Sequence, residues 1–224
     1  NWRWQPWYRE TKRLLADGTL GRPFSLNFMM RTGDGWGEDA YLGRQPFFRE
    51  YERLLMFETG VHFVDTFRFL LGEVTAVFAN LQQRNPVIKG EDCGQLLMQH
   101  ANGATSLLDA NRYNEADSDD PRYTFGTMRL DAEKGHLWLD NDGNLTIKLL
   151  GQPAYRHSYH HTREGFGGDC VFALQRHFVT MLREKRPFES EGVDYLKTIT
   201  LVEEIYRSAA AGQRITIDHQ IGQK

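Results

Sequence analysis

The feature that most constrains this chain is a run of short segments with strand periodicity, joined by turns too brief for crossover connections. Residues 74–84, 94–101, 104–113, 123–131, 136–140 and 144–150 read as strands. Between them, Asn102-Gly103 and Asp142-Gly143 are pairs that adopt positive φ in tight hairpins, and Lys134-Gly135 serves a looser one. Strands joined so briefly pair mostly antiparallel. An earlier segment, Pro23–Arg31, alternates with Phe24, Leu26, Phe28 and Met30 on one side, as a half-buried strand does. Helical patterns flank the block. Residues 6–17 start with Pro6 and stop before Gly18, and residues 59–71 are closed by Gly72. Residues 166–185 carry Val171, Leu174, Phe178 and Leu182 at helical spacing. Residues 192–211 carry Tyr195, Ile199, Val202, Ile205 and Ala209, and Gly212 caps them. The expected fold is α+β: a large, open, mostly antiparallel sheet with helices packed on one face. No repeat or linker divides the chain, so residues 1–224 read as a single domain. An uncovered apolar sheet face calls for a partner subunit, in a homodimer or homotetramer.

Charge and composition exclude several functions. The 27 Lys+Arg and 30 Asp+Glu give a net charge of −3, too little positive field for nucleic acid or an anionic membrane surface. No apolar run approaches the roughly 18 residues of a membrane span. Asn1-Trp2-Arg3-Trp4 carries no apolar signal core. Two cysteines, Cys93 and Cys170, are too few for a disulfide framework or a Cys-rich zinc site. A cytoplasmic protein with two buried thiols is the simplest expectation. No Gly-x-Gly-x-x-Gly follows a strand, and no βαβ alternation occurs, so no dinucleotide-binding half is expected within the chain.

The segment with the most chemical content is Glu58-Thr59-Gly60-Val61-His62-Phe63-Val64-Asp65. On a regular helix Glu58, His62 and Asp65 fall within roughly 60° of one another. The remaining circumference is largely apolar, so one polar stripe holds an imidazole between two carboxylates. Two readings stand on spacing alone. His62 is either an acid–base group poised near neutral pH, or a core histidine bonded to Glu58 with Asp65 in a local cap or ion pair.

The chain resembles the C-terminal domain of the glucose–fructose oxidoreductase / inositol dehydrogenase / MocA (Gfo/Idh/MocA) family over nearly its whole length. The carriers are Asn1-x-Arg3-x-x-Pro6, Leu20-Gly21-Arg22-Pro23, and Gly60-x-His62-x-x-Asp65 followed by Phe69-Leu70-Leu71-Gly72. Glu91-Asp92, Leu96-Leu97-Met98-Gln99-x-x-x-Gly103, Gly167-Gly168-Asp169 with His177-Phe178, and Ile205-Tyr206-Arg207-Ser208-Ala209 complete the set. The resemblance implies an NAD(P)-dependent oxidoreductase acting on a sugar, polyol or related hydroxylated molecule. NAD or NADP would be carried by an N-terminal Rossmann domain, a partner missing from this chain, and the open sheet would serve oligomers. His62 would take the substrate hydroxyl proton, Glu58 (where Asp is commoner) would orient it, and Asp65 would support it. The chain alone is then expected to be inactive and to hold no cofactor tightly. Relatives that use NAD transiently to cleave glycosidic bonds, and ligand-sensing modules of the same architecture, are the alternatives.

Further residues are candidates for holding substrate. Arg31 precedes, and Trp36 lies within, the glycine-rich stretch 32–48, expected to be a long irregular loop. Asn111, Arg112 and Tyr113 end a strand and can hydrogen-bond a polyol. Arg163 follows the Tyr/His-rich run 155–161 and can reach a hydroxyl or carboxylate. His157, His160 and His161 lie in a loop without further ligands at metal spacing, so no metal site is expected.

Overall fold

The computed structural model describes residues 1–217. After a 3₁₀ turn (Trp2–Trp4) come α1 (Pro6–Ala16) and β1 (Pro23–Arg31), then α2 (Val61–Leu71), β2 (Val74–Gln82), β3 (Cys93–His100) and β4 (Thr105–Asn111). β5 (Gly126–Ala132), β6 (Gly135–Leu139), β7 (Leu145–Leu149) and β8 (Tyr155–His157) follow, then α3 (Cys170–Glu184), α4 (Gly192–Ala211) and β9 (Ile215–Thr216). The strands form one nine-stranded sheet in the order β8-β7-β6-β5-β1-β4-β3-β2-β9. Every neighbouring pair is antiparallel except β1 and β4, which run parallel. That one pairing inserts an early strand into the middle of the later meander, bringing the ends of β1 and β4 side by side at Arg31 and Asn111.

Period-2 alternation sets the buried face. Leu26, Phe28 and Met30 of β1 lie in one core with Leu96 and Met98 of β3, Leu108 of β4, Met128 and Leu130 of β5, and Leu137 of β6. α2 is buried on almost every side, and its Phe63 meets Phe28 of β1 at 4.4 Å between ring centres. The opposite face keeps Met29, Phe78, Leu97 and Trp138 about half exposed. No helix among the described residues is long and apolar enough to cross a membrane.

Four expectations need correction. The stretch 32–48 is irregular as expected, but it is not the exposed strap its glycines suggest: Ala40, Tyr41 and Phe48 pack with Leu54 and Ile88 in a small second core. Asn85 pins it by donating to the carbonyls of Gly35 and Gly37, at 2.8 Å each. The Tyr/His-rich run contributes an edge strand, β8, that its irregular pattern concealed. Cys93 is half-buried rather than buried. Finally, α3 buries only Cys170 and Met181, leaving the apolar stripe expected to face the core largely in solvent.

Gly126 opens β5 with φ +146°, and a Cβ there would overlap the carbonyl oxygen of Met29 on β1. Gly126→Ala should cost at least about 3 kcal/mol of unfolding free energy in a denaturant titration. Gly192→Ala, where a side chain meets open space, should stay within about 0.5 kcal/mol. Equal, small losses at both would contradict the β1–β5 register.

Candidate functional site

At the edge of the sheet where β1 and β4 end, a cavity of about 150 Å³ opens to solvent. His62, Glu58, Thr59 and Arg112 line it, as do the aromatic rings of Trp2, Phe48, Phe125 and Phe166, with Arg44, Gln45 and Arg122 completing the wall. The His62 ring stacks on Trp2 at 4.9 Å with 9° between planes, and Trp2 continues to Phe125 at 4.3 Å. Among the described residues neither ring nitrogen of His62 has a hydrogen-bond partner. His100 is the contrasting core histidine: its nitrogens meet the Gly72 carbonyl and the Ser106 hydroxyl, both at 2.9 Å. Burial pushes His62 down to about 4 against the opposing pull of Asp65. The ring is therefore neutral at pH 7, the form able to accept a proton.

The helix does not begin as a uniform 100° pattern predicts. Residues Leu55–Gly60 form a π-helical turn ahead of α2. The wider i→i+5 turn rotates Glu58 away from the phase expected of it. Glu58 therefore does not bond His62. Its carboxylate accepts from the Thr59 hydroxyl at 2.5 Å and from Arg112 at 3.3 Å. Glu91 braces the turn, accepting from the amides of Leu54 and Met56 at 3.3 and 2.9 Å and from the Tyr206 hydroxyl at 2.5 Å. Asp65 does not bond His62 either, and it does not line the cavity. It forms a buried, two-pronged ion pair with Arg3, at 2.8 and 2.5 Å, and so holds the 3₁₀ turn that places Trp2 on His62.

Arg112 is the hub of the cavity floor. It binds both oxygens of Asp34, at 2.9 and 3.2 Å, and the Thr59 hydroxyl at 2.8 Å, while lying over the rings of Tyr41 and Phe48. Burial alone would raise Asp34, but Arg112, with Thr32 and Arg122, holds it below the usual carboxylate range. Desolvated ion pairs of this kind fix geometry, and losing either member strands the other charge.

Residues 8–137 match the model of the GFO/IDH/MocA C-terminal domain. The chain belongs to the Gfo/Idh/MocA family. D-apiose dehydrogenase from Rhizobium rhizogenes is 33% identical across 97% of this chain, which spans 63% of that enzyme. D-apiose dehydrogenase from Paraburkholderia graminis is 31% identical across 97%, and the chain spans 58% of its length. Among solved structures, an oxidoreductase from Agrobacterium radiobacter, in complex with NAD⁺, L-tartaric acid and magnesium, superimposes with a TM-score of 0.83. It is 29% identical, the match covering 96% of this chain and 62% of that one. Levoglucosan dehydrogenase in complex with NADH has the same fold at a TM-score of 0.79 and 18% identity, over 96% of this chain and 64% of that one.

Of the substrate-holding candidates in this Gfo/Idh/MocA domain, the structure brings only Arg112 to the cavity. Arg31 pairs with Asp109 at 2.7 Å, beside the cavity rather than in it. Trp36 is 64% exposed and packs edge-on against Tyr113 at 4.6 Å. Asn111 uses its side-chain carbonyl to accept the amides of Tyr113 and Asn114, closing the turn after β4. The Tyr113 hydroxyl reaches only the Arg84 carbonyl, at 3.4 Å. Arg163 lies over Tyr123 and pairs with Asp142 at 2.5 Å. Trp2, Thr59, Phe125 and Phe166 went unrecognised because nothing local marks an aromatic as wall rather than core. Phe125, which lines the cavity, also sits at positive φ (64°), a backbone state its sequence does not announce. His157 and His161 are engaged separately, with Glu10 at 2.6 Å and Tyr123 at 2.7 Å. Among the described residues no group of three or more His, Cys, Asp or Glu is placed to hold a metal.

Arg112→Ala should lower the unfolding free energy by about 3 kcal/mol, because buried Asp34 loses its two-pronged partner and keeps only the Thr32 hydroxyl and a longer contact to Arg122. The loss should shrink as pH falls through the depressed titration of Asp34, below its ordinary 3.8. Arg163→Ala, on a surface pair, should stay within about 1 kcal/mol. Denaturant titrations at pH 7 and pH 3 read both, and equal effects would contradict the hub.

Proposed function

We propose that residues 1–224 form the substrate-binding and oligomerisation domain of an NAD(P)-dependent dehydrogenase acting on a hydroxyl of a sugar, polyol or similar molecule. The observation that carries this reading is a neutral imidazole whose ring nitrogens have no partner among the described residues, facing a solvent-open cavity walled by aromatic rings. Flat aromatic walls suit the C–H faces of a sugar, and a few polar groups fix its orientation. Arg112, Glu58 and Thr59 supply donors and acceptors at the floor, and Arg44, Gln45 and Arg122 supply donors beside them. His62 accepts the proton of the reacting hydroxyl as the carbon is oxidised. Asp65 acts through Arg3, which holds Trp2 and with it the imidazole plane. Glu58 shapes the floor through Arg112.

The chain's own residues do not fit a whole dinucleotide. The sheet has one parallel pair, and among the described residues no glycine-rich strand–helix turn aims amides at a pyrophosphate. The nicotinamide, which supplies hydride transfer when bound, is therefore assigned to a second, Rossmann-type domain. Kinship with D-apiose dehydrogenases and with NAD-bound structures supports a sugar substrate and this cofactor class. The half-exposed Met29, Phe78, Leu97 and Trp138 support pairing with a second copy through the open sheet face. Two free thiols fit a reducing, cytoplasmic setting.

Joined to a Rossmann domain of the family, the chain should oxidise a sugar or polyol with NAD or NADP. His62→Ala in that protein should reduce turnover by roughly two to four orders of magnitude with the fold intact. An unaffected rate would remove His62 from the mechanism. The 224-residue chain alone should show no tight binding of NADH by fluorescence or calorimetry, and stoichiometric binding would contradict the division of labour.

A further inference from the structure

The cavity beside His62 carries more positive charge than its own carboxylates answer. Three guanidiniums line it, those of Arg44, Arg112 and Arg122, against the single carboxylate of Glu58. Arg112 is buried and has its acceptors: both oxygens of Asp34, the Thr59 hydroxyl and, at 3.3 Å, Glu58. The Arg122 side chain is 35% exposed and reaches only Asp34, at 3.5 Å, a carboxylate that already holds Arg112. Asp120, two residues away, accepts the Arg122 backbone amide rather than its guanidinium. Among the described residues the Arg44 guanidinium has no acceptor. His62 is neutral, so three guanidiniums face two carboxylates and one positive charge is left over at the open side of the cavity.

Neither arginine sits on a loose segment. The amides of Arg44 and Gln45 close a turn on the Tyr41 carbonyl, at 3.1 and 2.9 Å. Tyr41 and Phe48, on either side of that turn, are buried in the small second core. Arg122 directly precedes Tyr123, which is buried in the main core. The backbone is thus held against the cavity while both guanidiniums keep N–H groups for a ligand. The hydroxyls of a neutral sugar do not call for this charge. Arginine N–H groups beside an apolar wall suit a carboxylate, whose two oxygens accept in parallel. One surplus charge also matches a carboxylate better than a phosphate monoester, which carries nearly two.

Resting on the reading of His62 as the proton acceptor, we propose that the substrate is a polyhydroxylated acid, an aldonate or uronate, whose carboxylate is held by Arg44 and Arg122 while one of its hydroxyls meets His62. Gln45, also in the wall, donates to the same end of the molecule. The carboxylate is unchanged by the reaction: the alcohol carbon loses its hydrogen as hydride to oxidised NAD(P), the hydroxyl proton passes to the imidazole, and the C–O bond becomes C=O. Anchoring the acid at one end of the cavity selects which hydroxyl reaches His62.

The test titrates the 224-residue chain by calorimetry with four- to six-carbon aldonates and uronates, each beside the alditol or aldose of the same configuration. At least one acid should bind tenfold or more tightly than its neutral counterpart, with the preference falling as salt rises. Arg44→Gln/Arg122→Gln should abolish the preference, and Arg44→Gln alone, at an exposed position, should reduce it several-fold even if the double variant misfolds. Arg207→Gln, which removes a charge from the surface of α4, should leave it intact. No acid preference in the panel, a preference that survives the Arg44 and Arg122 substitutions, or tighter binding of sugar phosphates would overturn the proposal. In the chain joined to a Rossmann domain of the family, an acid should be the better substrate, and Arg44→Gln/Arg122→Gln should raise its KM at least tenfold. Oxidation of a neutral sugar that the substitutions leave unaffected would overturn the acid site while the proposed activity stands. A raised KM for NAD or NADP alone would give the arginines to the dinucleotide phosphates and overturn it as well. Arginine-dependent binding of an acid in a folded fusion that oxidises neither acid nor sugar would uphold the acid site and sink the activity.

Discussion

The buried Arg3–Asp65 pair is the contact on which the site depends. Two charged groups, each under a tenth exposed, meet in two parallel bonds between the 3₁₀ turn and α2. Thr198 of α4 reaches the same carboxylate at 3.4 Å, and Arg68 joins Thr198, Asp194 and Glu73 in the adjoining network. Such a pair contributes little net energy against an apolar substitute, but it tolerates almost no alternative geometry. Its consequence is positional. Fixing Arg3 fixes Trp2, Trp2 lies flat on His62, and the Trp2–Phe125–Phe166 wall follows. The imidazole is desolvated by that wall and left without a hydrogen-bonding neighbour, which accounts for its neutrality.

A second constraint comes from the sheet. Parallel pairing of β1 with β4 ends both strands at one edge, so the residues following each meet there: Thr32 and Asp34 after the first, Arg112 after the second. Arg112 turns inward because Asp34, Thr59 and Glu58 give it acceptors and two rings give it cover. The π-helical turn then presents Glu58 and Thr59 to Arg112 rather than to His62. The site is thus the meeting of a strand edge, an irregular helix start and a pinned N-terminal turn.

Much of the scaffold was legible in the sequence. The β1 boundaries, Gly72 ending α2 at φ 87°, and the hairpin glycines Gly103 and Gly143 at φ 86° and 79° all follow from local chemistry. The His62 stripe was visible through its spacing, and its membership in a known family through scattered motifs. Other features were out of reach because they are not local. The β1–β4 pairing closes over more than seventy residues, and an interrupted helix looks periodic until its hydrogen bonds are known. Asp65 read as a neighbour of His62, because spacing says which side chains share a face but not which distant Arg3 claims one of them. The α3 stripe read as core for a related reason: periodicity reports a greasy side and is silent about which body covers it.

The central claim is that the architecture keeps His62 neutral and open to the cavity, and ¹⁵N–¹H NMR titration of the His62 ring in the 224-residue chain tests it most directly. The account predicts a ring that stays neutral from pH 8 down to pH 5 and takes up its proton only near 4. Titration at the ordinary 6.5 would show an imidazole lying in water, and would contradict the desolvated base on which the reading of this fold rests.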